Sequence, residues 1–238
     1  MDINYLKLNI EKTGVIFLGK CKNLKNSSVN LDLGHKTFSS QKNDNLKILG
    51  IIINENLNYK DTISICIRSC YFNLHKLRSI RHYLDEATKI RLVKTYVINR
   101  LDYCNILYSN CTKSELYFLQ KVINAAIRFI YSLPKRTSIT PYAKKCHILP
   151  VKYRLMYKCS LITYKTVNSL CPDYLLDIFR FKDVRHEGLR KSGDILLLKY
   201  PTNSNSVYAK VVKFWNELPS ELRYQTDINI FTKDLKTF

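Results

Sequence analysis

Carboxylates are scarce in this chain. Its 238 residues hold 19 Asp and Glu against 39 Lys and Arg, for a formal charge of +20. No two aspartates are adjacent anywhere in the sequence. No apolar run approaches membrane length. The longest, Ile48-Leu49-Gly50-Ile51-Ile52-Ile53, falls far short of the roughly 20 residues that a spanning helix needs. The start, Met1-Asp2-Ile3-Asn4-Tyr5-Leu6-Lys7, lacks the basic-then-apolar run of a secretory leader. No segment of 20 to 50 residues repeats, which argues against a solenoid. There are eight cysteines, but their spacings form no disulfide framework. These absences predict an intracellular protein, in nucleus or cytoplasm, with reduced thiols and no membrane partner.

What is present is a core and an uneven charge. Hydrophobic residues make up 46% of the chain, too many for a disordered tail and enough for one or two domains. Residues 61–170 carry 19 basic and 5 acidic residues, a balance of +14, while the flanks carry only +4 and +2. Lysine enrichment alone would reflect base composition. The concentration of 8 of the 12 arginines in the same middle segment points instead to a polyanion-facing surface, and nucleic acid is the commonest polyanion.

Residues 1–56 read as mixed α/β. Val15-Ile16-Phe17-Leu18 and the run Ile48 to Ile53 suit short buried strands, and Asn23 to Asn30 and Ser39 to Asn45 suit polar linkers. From Asp61 the period becomes helical. Ile63, Ile67, Cys70, Leu74 and Leu77 form one apolar stripe. A second helix is predicted from about Asp85 to Asn99, with Ile90, Val93 and Val97 inward. Thr112-Lys113-Ser114-Glu115 is a capping box. It opens a third helix carrying Leu116, Leu119, Val122, Ile123, Ala126 and Ile130, which should end before Pro134. Three such helices suggest a small bundle. Thr140-Pro141 reads as an N-cap with proline at the first helical position. A longer helix should follow Pro150, from about Lys152 to Asn168, and another should begin at Pro172-Asp173. Residues 182–206 look irregular apart from Ile195 to Leu198, a strand candidate. Helices near 207–217 and 227–236 complete the reading.

Several short strings have no evident catalytic chemistry yet occur in a distinctive order. They are Arg100-Leu101-Asp102-Tyr103-Cys104-Asn105, Leu119-Gln120-Lys121-Val122-Ile123-Asn124-Ala125-Ala126, Ile139-Thr140-Pro141, Ile148-Leu149-Pro150-Val151 and Phe214-Trp215-Asn216-Glu217-Leu218-Pro219. Upstream lie Leu6-Lys7-Leu8-Asn9-Ile10-Glu11-Lys12-Thr13 with Phe17, and Leu49-Gly50-Ile51 with Leu57. In order and spacing this series resembles the region from the end of the palm onward in non-LTR (LINE-type, jockey-like) retrotransposon reverse transcriptases.

The resemblance implies a mainly α fold. It would comprise a small α/β palm remnant over 1–56 with a primer-grip-like strand at Leu49 and Gly50, a thumb-like helical bundle over 57–135 and a helical C-terminal domain over 136–238. The remnant's strand edges would be exposed and prone to association. The resemblance also implies what the chain lacks. RNA-directed DNA polymerases of this kind hold Mg²⁺ through palm aspartates, and their Tyr-x-Asp-Asp string precedes the Leu-x-Leu-Asn segment that begins here at Leu6. The expectation is therefore a polymerase fragment that holds RNA, DNA or an RNA–DNA hybrid without sequence preference and needs no cofactor of its own. Two alternatives stand beside it: a truncated gene model of an active polymerase, and an inert relic.

Within that frame Arg68, Lys76, Arg78, Arg81, Arg91, Lys94 and Arg100 are the phosphate-contact candidates. Tyr71, Phe72, Tyr83 and Tyr96 interleave with them. Such aromatics can stack on bases, though residues of this type more often serve as core. Lys12 matches a lysine implied to protonate departing pyrophosphate, a role without a reaction here. Gly14 to Cys21 is a near miss to a phosphate-binding loop and is rejected, because its interior is strand-like and Cys21 replaces the magnesium-binding hydroxyl. Cys66, Cys70 and His75 lack a fourth ligand and read as small core residues rather than a zinc site. Cys146-His147 is rejected as a dyad, since adjacent side chains seldom face each other. Phe214, Trp215 and Leu218 read as packing.

Overall fold

The structure is a computed structural model that describes residues 14–18, 29–32, 37–40, 45–182, 196–203 and 206–237. Lys12 therefore lies outside the described residues. The chain is mainly helical and divides into two compact units, Met1–Ile65 and Cys66–Phe238, with the division falling inside a helix.

Among the described residues the first unit shows two antiparallel hairpins. Strand β1 (Val29–Asp32) pairs with β2 (Thr37–Ser40), with Asn30 opposite Ser39. Strand β3 (Asn45–Ile48) pairs with β4 (Ile51–Asn54), with Ile48 opposite Ile51. Two sequence expectations fail here. The first hairpin takes in one end of each expected linker, Val29-Asn30 and Ser39-Ser40, and residues 14–18 form no strand. The run Ile48 to Ile53 is likewise not one strand. Leu49 (φ 48°) and Gly50 (φ 87°) turn the chain back on itself. Both φ values are positive, as a tight two-residue hairpin turn of the right twist requires. Glycine adopts this conformation freely, whereas the leucine is strained there. Its apolar character hid the turn. Beyond β4, the Thr62 hydroxyl both accepts from the Ile52 amide (2.9 Å) and donates to the Ile52 carbonyl (3.2 Å).

Helix α1 (Lys60–Ser79) follows the expected stripe. Ile63, Cys70, Leu74 and Leu77 are buried and Ile67 is half-buried. The next helix is broken in a way the period did not reveal. Helix α2 (Glu86–Val93) passes into a π turn (Lys94–Ile98) and then α3 (Asn99–Asp102). A π turn moves its carbonyls out of the usual register. Here α1 supplies donors to carbonyls in and just after the turn: Asn73 Nδ2 to Tyr96 O (2.8 Å), the Cys70 thiol to Val97 O (3.7 Å) and the Cys66 thiol to Arg100 O (3.4 Å). Those pairings run in opposite chain directions, so the two helical segments are antiparallel.

Helix α4 (Lys113–Tyr131) opens on the expected capping box. The Thr112 hydroxyl accepts from the Glu115 amide (3.3 Å), and Glu115 accepts from the Thr112 amide (2.8 Å). Its stripe, Leu119, Val122, Ile123, Ala126 and Ile130, is buried. Helix α5 (Thr140–Lys145) starts one residue earlier than expected, with Ile139 and not Thr140 in the capping position. Helix α6 (Val151–Val167) packs against α4, and Pro172-Asp173 opens only a short 3₁₀ turn, Asp173–Ile178.

The C-terminal part packs on α6. Helix α7 (Val207–Asn216), a short α8 (Ser220–Arg223) that the sequence reading missed, and α9 (Ile228–Thr237) gather around Trp215, the chain's single tryptophan. Trp215, Tyr164, Leu198, Val212, Leu218 and Phe231 form one buried cluster. The Tyr164 and Phe231 rings stack at 4.0 Å, and the Tyr164 hydroxyl donates to Thr226 O (2.7 Å). Leu198 forms a β-bridge with Phe181; of the strand expected over 195–198, Ile195 lies outside the described residues and this bridge is the pairing seen in the rest.

Candidate nucleic-acid interface

Helix α1 positions the central candidates by its period alone. Arg68, Phe72 and Lys76 are spaced four apart, so they stack along one face. That face points away from the buried Cys70, Leu74 and Leu77. Phe72 is 57% exposed, and the Lys76 ammonium sits 4.5 Å from its ring centroid. An exposed cation–π contact of this kind is worth about 0.5–1 kcal/mol. It orders the lysine without neutralising it.

The other candidates flank this row. Arg78 lies near the end of α1, off the face of the row. Arg81 sits in the 3₁₀ turn after it and reaches His82, Nε to Nε2 at 3.2 Å. Arg91, on α2, donates to the Thr88 hydroxyl (3.4 Å). Lys94 opens the π turn and Arg100 follows it. Because the two segments are antiparallel, Arg68 and Arg100 fall toward one end of the pair and Arg78 and Arg91 toward the other. The span from Arg68 to Arg78 is about 15 Å of helix, over which duplex DNA presents roughly nine phosphate charges.

All seven candidates are exposed, and among the described residues none pairs with a carboxylate. Four other basic residues have partners elsewhere. Lys145 pairs with Glu86 (2.8 Å), Arg154 and Lys158 both face Asp102, and Arg128 donates to Lys135 O (3.0 Å).

Electrostatics around the pair follow the same geometry. The Cys66 thiol is held below the usual thiol range, first by its hydrogen bond with Cys70, then by the Tyr108 hydroxyl and the nearby Arg100 charge, against the effect of burial. Asp85 caps α2. The Thr88 hydroxyl and amide beside it hold its carboxyl below the usual range, with a smaller contribution from Arg91.

The aromatic residues correct a sequence expectation. Tyr71, Phe72, Tyr83 and Tyr96 are all exposed and none is core. The signal was available, since none of them falls on the apolar stripe. A second exposed group was missed altogether. On α4 the Lys121 ammonium lies 4.5 Å from the Tyr117 ring and 5.6 Å from the Phe118 ring, and both rings are at least half exposed.

Leu49 and Gly50 sit at the tip of the β3–β4 turn, with Leu49 85% exposed. Among the described residues no three His, Cys, Asp or Glu side chains gather to hold a metal. Cys70 and Cys146 are buried, Cys66 is half-buried, and His75 and His147 are exposed. No helix among the described residues is long and apolar enough to cross a membrane. No protein-family model, curated protein or solved structure matches the chain.

Proposed function

We propose that this chain is the duplex-holding, thumb-like and C-terminal part of a retrotransposon-type reverse transcriptase. It binds RNA, DNA or their hybrid without sequence preference and does not polymerise on its own. The observation that carries this reading is the row Arg68, Phe72 and Lys76 on the open face of α1, flanked by five further exposed cations with no carboxylate partner among the described residues. Unpaired Lys and Arg contact phosphates by releasing counterions. Exposed rings among them offer stacking that any base can use. The collinear strings of the sequence support the polymerase ancestry.

The test is fluorescence anisotropy of the full chain against a short RNA–DNA hybrid over a salt series. The expected result is binding whose log K falls with log salt at a slope of roughly −4 or steeper, meaning several phosphates are contacted. Folded protein that does not bind at low salt overturns the proposal.

A further inference from the structure

A cleft of about 400 Å³ opens within the second unit, between α6, α9 and the turn after α7. Tyr153, Met156, Tyr157 and Ser160 line one wall, at spacings that share a face of α6, and Leu218, Leu235 and Lys236 close the other. The volume lies in the range of small-molecule sites, and the lining is mostly apolar with few polar groups, as such sites are.

Two of those polar groups have no hydrogen-bond or carboxylate partner among the described residues. The Ser160 hydroxyl is buried, with its residue 1% exposed, and it makes no hydrogen bond. Other hydroxyls on the same helix avoid this by donating to the carbonyl one turn back: Thr163 to Cys159 O (3.0 Å) and Thr166 to Ile162 O (2.9 Å). Ser160 does not. An orphaned buried hydroxyl at a cleft wall marks a place where a ligand atom completes the bonding. The second group is the Lys236 ammonium. It is exposed, lies 5.8 Å from the Tyr157 ring, and has no carboxylate within ion-pair reach among the described residues.

We propose that this cleft binds a small amphipathic carboxylate that carries a second polar atom at its far end. The apolar body lies against Met156, Leu218 and Leu235. The carboxylate pairs with Lys236 at the mouth, and the second polar atom meets the Ser160 hydroxyl inside. The site is separate from the cationic face of α1 and does not depend on nucleic-acid binding.

The chain has two methionines, and Met156 lines the cleft. Carbon-13 methyl labelling of methionine in the full chain therefore gives a local reporter. The probe is ω-hydroxydodecanoate, kept below its aggregation limit. The expected result is a saturable shift of the Met156 methyl. Lys236→Gln should weaken binding about threefold, as befits an exposed ion pair. Ser160→Ala should weaken ω-hydroxydodecanoate by about fivefold or more and leave dodecanoate unchanged. The proposal is overturned if the Met156 methyl does not move, if dodecanediol moves it as tightly as the acid, or if both variants bind like the parent.

Discussion

Arg154 Nη1 lies 2.8 Å from both carboxylate oxygens of Asp102, tying α6 to α3 across 52 positions of sequence. The two side chains are 13% and 18% exposed. Asp102 also faces Lys158 at 4.0 Å and accepts from Asn105 Nδ2 at 3.5 Å. The string Arg100 to Asn105 thus has a structural reason: its aspartate holds a long-range partner and its asparagine is buried. Removing one partner of such a pair leaves a charge poorly solvated, which costs about 3–5 kcal/mol when burial is complete. Partial exposure reduces this, so Asp102→Asn should cost roughly 2 kcal/mol in urea unfolding. Adding Arg154→Met to that variant should recover part of the loss. A single variant within about 0.5 kcal/mol of the parent would show the pair to be energetically idle.

The open face of α1 separates two kinds of contact. Arg68→Ala and Lys76→Ala should each flatten the salt slope of nucleic-acid binding by about 0.7–0.9. Phe72→Ala should leave the slope alone and weaken single-strand binding by about 1–3 kcal/mol if its ring stacks on a base. Lys145, already tied to Glu86, is the control. Its alanine variant should alter affinity least, and an equal effect there would mean diffuse charge, not this face, does the binding.

Buried thiols set an alkaline limit on the fold. Burial pushes the Cys159 thiol from its ordinary 9.0 up to about 12. Cys111 is likewise pushed up to about 12, by burial and then by the Glu115 charge. In the unfolded chain these thiols ionise near their ordinary value, while in the folded chain they stay protonated. Their contribution is therefore complete below pH 9 and is lost as pH rises from 9 toward 12. Cys159 should cost about 1.4 kcal/mol per pH unit in that window, and the half-buried Cys111 less. Cys159→Ala should be less stable at neutral pH, because Cys159 is fully buried, yet its stability should fall less steeply with pH. Parallel slopes in parent and variant would show that Cys159 does not titrate in this window.

Much of the helical part was legible because burial imposes a period on sequence. Leu119, Val122, Ile123 and Ala126 lie on one buried face, and the Thr112–Glu115 box marks the helix start chemically. What could not be read depends on backbone conformation or on distant partners. Leu49 at positive φ looks like strand, the π turn at 94–98 keeps an ordinary helical composition, and nothing near Asp102 announces Arg154. The cations of the candidate interface were legible as a cluster. Which of them stay free of carboxylates was not, because that depends on where Glu86 and Asp102 come to lie.

The Phe214 to Pro219 string illustrates the same limit and yields a sharp test. Its sequence reads as packing, and Trp215 and Leu218 are indeed buried. Its larger role is to clamp backbone. Trp215 Nε1 donates to Leu196 O (2.7 Å). The Asn216 amide takes both polar groups of Leu198, accepting from its N–H and donating to its carbonyl, each at 2.9 Å. A side-chain amide thereby pairs with Leu198 as a neighbouring strand would, while Arg223 donates to the carbonyls of Asn216 and Leu218. Asn216→Asp keeps the size and the acceptor but sets an oxygen against the Leu198 carbonyl. It should cost about 2–3 kcal/mol, the range for leaving a buried polar group unmatched beside a charge. Trp215, the only tryptophan, reports the loss directly, since loosening the clamp exposes its indole and shifts its fluorescence. An Asn216→Asp variant with parental stability and unshifted emission would show that the packing of Trp215, not the amide clamp, holds residues 196–198 in place.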